Sequence, residues 1–103
     1  MVSHTLEGKV ALVTGASEGI GFAIAKSLAQ RGSSVFLLAR NPEKLKRAYE
    51  ELVRESQGNH SYASADVSNP EQVRDAVRAA LDRYSTIDIL VNNAGFAPLD
   101  FLE

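Results

Sequence analysis

The chain has 103 residues, with 11 Lys+Arg against 13 Asp+Glu, a net charge of −2 and no cysteine. Such a length supports one domain at most. A near-neutral balance with no basic cluster on any one predicted face offers nothing for nucleic acid or an anionic membrane to grip. Without thiols there are no disulfides, no thiolate nucleophile and no cysteine metal site, and His4 and His60 stand far apart in sequence, so no metal is expected. A hydrophobic share of 45% with 23% charged residues argues against disorder. The start of the chain lacks the shape of a signal peptide and no apolar run approaches membrane-spanning length, which predicts a soluble, cytoplasmic protein.

Residues 1 to 8 read as a polar lead-in. Lys9 to Thr14 is a short apolar run ended by glycine, the pattern of a parallel strand buried on both faces. From Gly19 to Arg31 the residues Ile20, Ala23, Ile24, Ser27 and Leu28 recur at helical spacing and predict the face turned to the sheet, with Gly32 as the left-handed cap. Ser34 to Ala39 is a second apolar strand. Asn41-Pro42 then places a capping side chain before a proline at the first helical position. The second helix runs to about Ser56, with Leu45, Ala48, Tyr49, Leu52 and Val53 inward and Lys44, Lys46, Arg47, Glu50, Glu51, Arg54 and Glu55 as its solvated face.

His60 to Ala65 alternates, as suits an edge strand with one wet face. Asn69-Pro70 repeats the cap-and-proline start, and Val73, Ala76, Val77, Ala80, Leu81 and Tyr84 form the stripe of a third helix. Ile87 to Val91 is a fourth strand, and Pro98 to Glu103 begins a further helix. Strands alternating with helices of this length imply right-handed crossovers and a parallel α/β sheet.

Between the first strand and the first helix lies Thr14-Gly15-Ala16-Ser17-Glu18-Gly19-Ile20-Gly21. Glycines let backbone approach a ligand closely, and the N–H groups and positive end of the following helix face an anion such as a pyrophosphate. The spacing, G-x-x-x-G-x-G, resembles the cofactor segment of the short-chain dehydrogenase/reductase family. Asn92-Asn93-Ala94-Gly95 matches that family's second signature, at the end of its fourth strand.

The resemblance implies a Rossmann-like half of a doubly wound sheet, three layers α/β/α, in strand order 3-2-1-4, with helices 1 and 2 on one face and helix 3 on the other. It implies a nicotinamide dinucleotide at the switch point beside strands 1 and 4. Gly15, Ser17, Glu18, Gly19, Ile20 and Gly21 would hold the diphosphate side. Asp66 and Val67 match the pair that meets adenine. Asn92, Ala94 and Gly95 would border the ribose and the cofactor's underside. Ser17 reads equally as a turn-stabilising serine and Asp66 as a local cap for helix 3.

Where an acid would read the ribose hydroxyls of NAD, this chain has Ala39, followed by Arg40. A guanidinium fork suits a 2′-phosphate, so NADP is expected over NAD, the competing reading being a solvated loop arginine. Glu18 pulls the other way. A carboxylate there repels a phosphate unless it turns to solvent or pairs with Arg40.

The family's catalytic Tyr-x-x-x-Lys pair and upstream serine have no match: Tyr49, Tyr62 and Tyr84 are none of them followed by lysine four residues on. They read better as packing. The expectation is therefore residues 1–103 as the N-terminal portion of an NAD(P)-binding domain, truncated before the catalytic half. The parent would be an oligomeric oxidoreductase moving hydride between nicotinamide and an alcohol or ketone. The alternative is a stand-alone nucleotide-binding half-domain without chemistry. Isolated, such a half would expose the edge of its fourth strand and tend to associate. A methyltransferase would want an acid where Ala39-Arg40 stands, and the larger epimerase-like relatives space their glycines differently.

Overall fold

A computed structural model describes residues 6–93. Seven elements follow in order: β1 (Val10–Thr14), α1 (Gly19–Gln30), β2 (Ser34–Ala39), α2 (Pro42–Glu55), β3 (Ser61–Ser64), α3 (Pro70–Tyr84) and β4 (Ile89–Val91). They form one parallel sheet in the order β3-β2-β1-β4, as expected for a Rossmann-like half. Ala94, Gly95 and the helix expected from Pro98 lie outside the described residues.

Two cores sandwich the sheet. Val13, Val35, Leu37 and Ala39 meet Ala25 and Ala29 of α1 and Leu45, Ala48 and Leu52 of α2 on one face. Leu12, Phe36 and Leu38 meet Ala65 and Ala76 and Ala80 of α3 on the other. Successive side chains of β1 and β2 therefore feed opposite layers, and both strands are apolar apart from Thr14 at the end of one and Ser34 at the start of the other, because neither face is wet. At the start of β1 the register with β4 is locked twice through Asp88: its Oδ2 accepts Val10 N–H and its own N–H donates to Val10 O, each at 2.9 Å.

The buried line of α1 departs from the sequence expectation. Gly21, Ala25 and Ala29 face the sheet, whereas Ile20, Ala23 and Ser27 are exposed and Ile24 and Leu28 only half-buried. Residues four apart with almost no side chain let the helix axis lie close to the strands, and close approach outweighs the bulk an isoleucine would bury. Val53 of α2 and Leu81 of α3, expected inward, are likewise 47% and 42% exposed. In each helix three residues are buried, Leu45, Ala48 and Leu52 in one and Val73, Ala76 and Ala80 in the other, while Tyr49, Val77 and Tyr84, expected inward, pack half-buried against the same cores.

β3 is shorter than its apolar pattern suggested. His60 lies just before it, turned inward and 3% exposed. The three tyrosines do pack: Tyr49 meets Tyr62 with ring centroids 4.9 Å apart, and Tyr84 stands edge-on to Phe36 at 6.4 Å.

Candidate functional site

The carboxyl ends of β1 and β4 meet where the chain reverses its direction of travel across the sheet. Thr14, last in β1, makes the join: its Oγ1 accepts the N–H of Asn93 at 2.9 Å and its hydroxyl points to Val91 O and Asn92 Oδ1 at 3.4 and 3.3 Å. Asn93 Nδ2 also donates to Gly15 O at 3.4 Å. Thus Asn92-Asn93 ties the switch point together at the place the sequence assigned to it.

The loop after β1 climbs through two glycines in the left-handed region, Gly15 and Gly19, both at φ +62°. At Gly21 the requirement is space. A Cβ there would lie 2.1 Å from Gly15 O and 2.7 Å from Asn93 Nδ2, so only glycine lets α1 start against the loop and the end of β4. Ala16 N–H donates to Leu38 O at 3.2 Å and anchors the loop to β2.

The three helix starts differ. Asn41 and Asn69 cap α2 and α3, each accepting two backbone N–H groups, so Asn69, not Asp66, caps α3. Glu18 at the N-cap of α1 makes no side-chain cap bond, and no acid lies in that first turn. The start of α1 therefore takes no bond from its N-cap side chain, and its dipole is not offset by an acid in the first turn, an arrangement suited to a phosphate or diphosphate.

A cleft of about 480 Å³ opens beside this loop, with Gly15, Ser17 and Glu18 on one wall, Arg40 and Lys44 on the second, and Asp66 and Val67 on the third. A larger open depression of about 820 Å³, lined by Glu7, Gln30, Arg54 and Gly58 among others, lies at the opposite ends of the strands. The first is the candidate site because it joins the glycine loop to the carboxyl ends of β1 and β2.

Its charges are paired across the cleft. Arg40 Nη2 lies 3.7 Å from Asp66 Oδ2, and Lys44 Nζ lies 2.8 Å from Glu18 Oε1. Asp66 Oδ1 also accepts the hydroxyl and N–H of Ser68 at 2.6 and 2.9 Å. These bonds, with Arg40 adding its charge, hold the Asp66 carboxyl below the usual range. The Lys44 hydrogen bond and charge do the same for Glu18.

Lys44 was missed by sequence reasoning, which left it on the solvated face of α2. The usable signal was the cap at Asn41: it fixes residue 44 in the first turn of a helix whose start faces the cleft. Glu18 pairs with Lys44 and not with Arg40. Gly15, Ser17, Glu18, Arg40, Asp66 and Val67 all line the cleft, Gly19, Ile20 and Gly21 continue its loop into α1, and Asn92 closes the neighbouring end of the sheet.

The sequence profile of the family described as short chain dehydrogenase matches residues 9–103. The chain belongs to this family. Its members are oxidoreductases that use a nicotinamide cofactor. Among its relatives, the chain is 42% identical over 102 residues to the short chain dehydrogenase/reductase dpfgH of Gibberella zeae, a match covering 95% of this chain and 29% of that protein. L-sorbose reductase of Gluconobacter frateurii, in a complex with NADPH and L-sorbose, superposes with a TM-score of 0.85 at 38% identity over 88% of this chain and 35% of that one. An actinorhodin polyketide ketoreductase with NADPH gives a TM-score of 0.79 at 41% identity over 93% and 36%. The chain spans about a third of the length of the short-chain dehydrogenases it matches.

Proposed function

We propose that residues 1–103 are the dinucleotide-binding portion of an NAD(P)-binding Rossmann domain, and that their ligand is NADP(H). The whole protein would transfer hydride between the nicotinamide and an alcohol or ketone. The observation that carries the reading is the contrast between helix starts: α2 and α3 are capped by asparagine, while α1 begins without a side-chain cap in a glycine loop beside a cleft that Arg40 and Lys44 line.

In this reading the backbone of Gly15, Ser17, Glu18, Gly19, Ile20 and Gly21 cradles the diphosphate, and the Ser17 hydroxyl adds a donor. Arg40 takes the 2′-phosphate of the adenosine ribose; Ala39 before it leaves no carboxylate to accept ribose hydroxyls. Asp66 and the N–H of Val67 face the adenine. Asn92, Ala94 and Gly95 border the second ribose. The nicotinamide supplies or accepts the hydride, and these residues bind and orient it. The NADPH complexes among similar structures support the choice of cofactor.

Fluorescence titration of the chain with NADPH and NADH at fixed ionic strength tests it. NADPH binds tighter, and Arg40→Ala narrows the difference by weakening NADPH selectively. Tighter binding of NADH, or binding of neither, overturns the reading.

A further inference from the structure

Four charged side chains face the cleft in two pairs, Lys44 with Glu18 and Arg40 with Asp66. Lys44 and Arg40 stand four residues apart, on either side of the Asn41-Pro42 helix start, and reach the same space from the end of β2 and the first turn of α2. The backbone N–H groups of that turn, those of Glu43 and Lys44, are already bonded to Asn41 Oδ1 at 3.0 and 3.1 Å. What α2 can offer an anion here is therefore the Lys44 ammonium.

That ammonium is held by Glu18, and the pair is open to water, with side chains 47% and 68% exposed. Exposed ion pairs are weak, and a lysine stem is flexible. A phosphate dianion offers more charge and more acceptor oxygens than one carboxylate, so it competes for Nζ on favourable terms. With Glu18 fixed in place it would meet a like charge beside Lys44; with Glu18 turned outward it meets the Lys44 ammonium and the Arg40 guanidinium, the latter still 3.7 Å from Asp66 Oδ2.

Resting on the NADP(H) reading, we propose that Lys44 is the second cation of the 2′-phosphate site and that Glu18 is its resident counter-ion. The phosphate displaces the Glu18 carboxylate from Lys44 Nζ, and Glu18 turns into the solvent that already reaches it. An unphosphorylated ribose leaves the pair closed. Lys44 then contributes to one cofactor only, and Glu18 taxes that same cofactor, so the pair tunes selectivity in both directions.

The probes are adenosine 2′,5′-bisphosphate and adenosine 5′-monophosphate, which differ only in the 2′-phosphate, titrated calorimetrically into the 103-residue chain. Lys44→Met weakens the bisphosphate about tenfold and leaves the monophosphate unchanged, Lys44→Arg retains most of the affinity, and Glu18→Gln tightens the bisphosphate severalfold. In the double variant Glu18→Gln/Lys44→Met the two effects do not add, because each residue acts through the other. Selective weakening by Arg40→Ala with no selective effect at Lys44 overturns this proposal and leaves the cofactor reading standing. Equal binding of both probes by the unaltered chain overturns both.

Discussion

The Nδ1 atom of buried His60 accepts the N–H of Val35 at 3.0 Å, pinning the approach to β3 onto the start of β2. Because Nδ1 accepts, the ring proton sits on Nε2, 3.1 Å from Ser56 Oγ, and that hydroxyl in turn donates to Leu52 O at 2.6 Å. One imidazole thus joins β2, β3 and the last turn of α2. Gly58 packs on the ring: a Cβ there would lie 2.9 Å from Cε1.

Burial holds the His60 pKa below its ordinary 6.5, with the Gln57 backbone pulling weakly the other way. As pH falls below that value the unfolded chain takes up a proton that the folded chain resists. The stability tied to neutral His60 is therefore complete above about pH 6.5 and is lost as pH falls through the depressed folded value. Urea unfolding between pH 5 and 8 shows the decline. His60→Leu flattens it and costs about 1–3 kcal/mol at neutral pH, because Val35 N–H loses its acceptor. An unchanged pH slope in that variant would refute the assignment.

Gly21 and Gly19 separate two demands on the loop. Gly21→Ala sets a methyl against Gly15 O, costs about 3 kcal/mol and weakens NADPH binding about tenfold or more by displacing the loop. Gly19→Ala meets nothing within 4 Å and pays only for a left-handed φ, about 1–2 kcal/mol. Thermal melts and NADPH titrations of the two variants should rank in that order.

Thr14→Val preserves shape but removes the acceptor of Asn93 N–H. The expected loss is about 1–3 kcal/mol. Hydrogen exchange reads it directly: the amide of Asn93 loses protection while the amides of β2 keep theirs.

Ser85 ends α3 with φ +69°, the one left-handed residue other than glycine among those described. Ser85→Gly relieves the strain and raises stability by up to about 1 kcal/mol, the gain being limited by the greater freedom of glycine in the unfolded chain. Denaturant midpoints of the two chains decide the matter; a lower midpoint for the glycine variant would contradict it.

Much of this molecule is written locally. Val10–Thr14 and Ser34–Ala39 are continuous apolar runs, Asn41-Pro42 and Asn69-Pro70 name their helix starts, and the glycine loop stands between a strand and a helix. These signals act within a few residues, so element order and the site's backbone follow from reading along the chain. Strand order 3-2-1-4 came from the family resemblance, and the observed pairing agrees with it.

The side-chain partners are another matter. That α1 turns Gly21, Ala25 and Ala29 to the sheet, that Lys44 crosses to Glu18, and that His60 reaches Val35 depend on how closely elements approach in space. The sequence by itself determined which segments become strands and helices and where the glycine loop stands between them. The tertiary structure alone decided which face each helix buries and which charges meet, because close packing and ion pairing act between atoms that are neighbours in space and strangers along the chain.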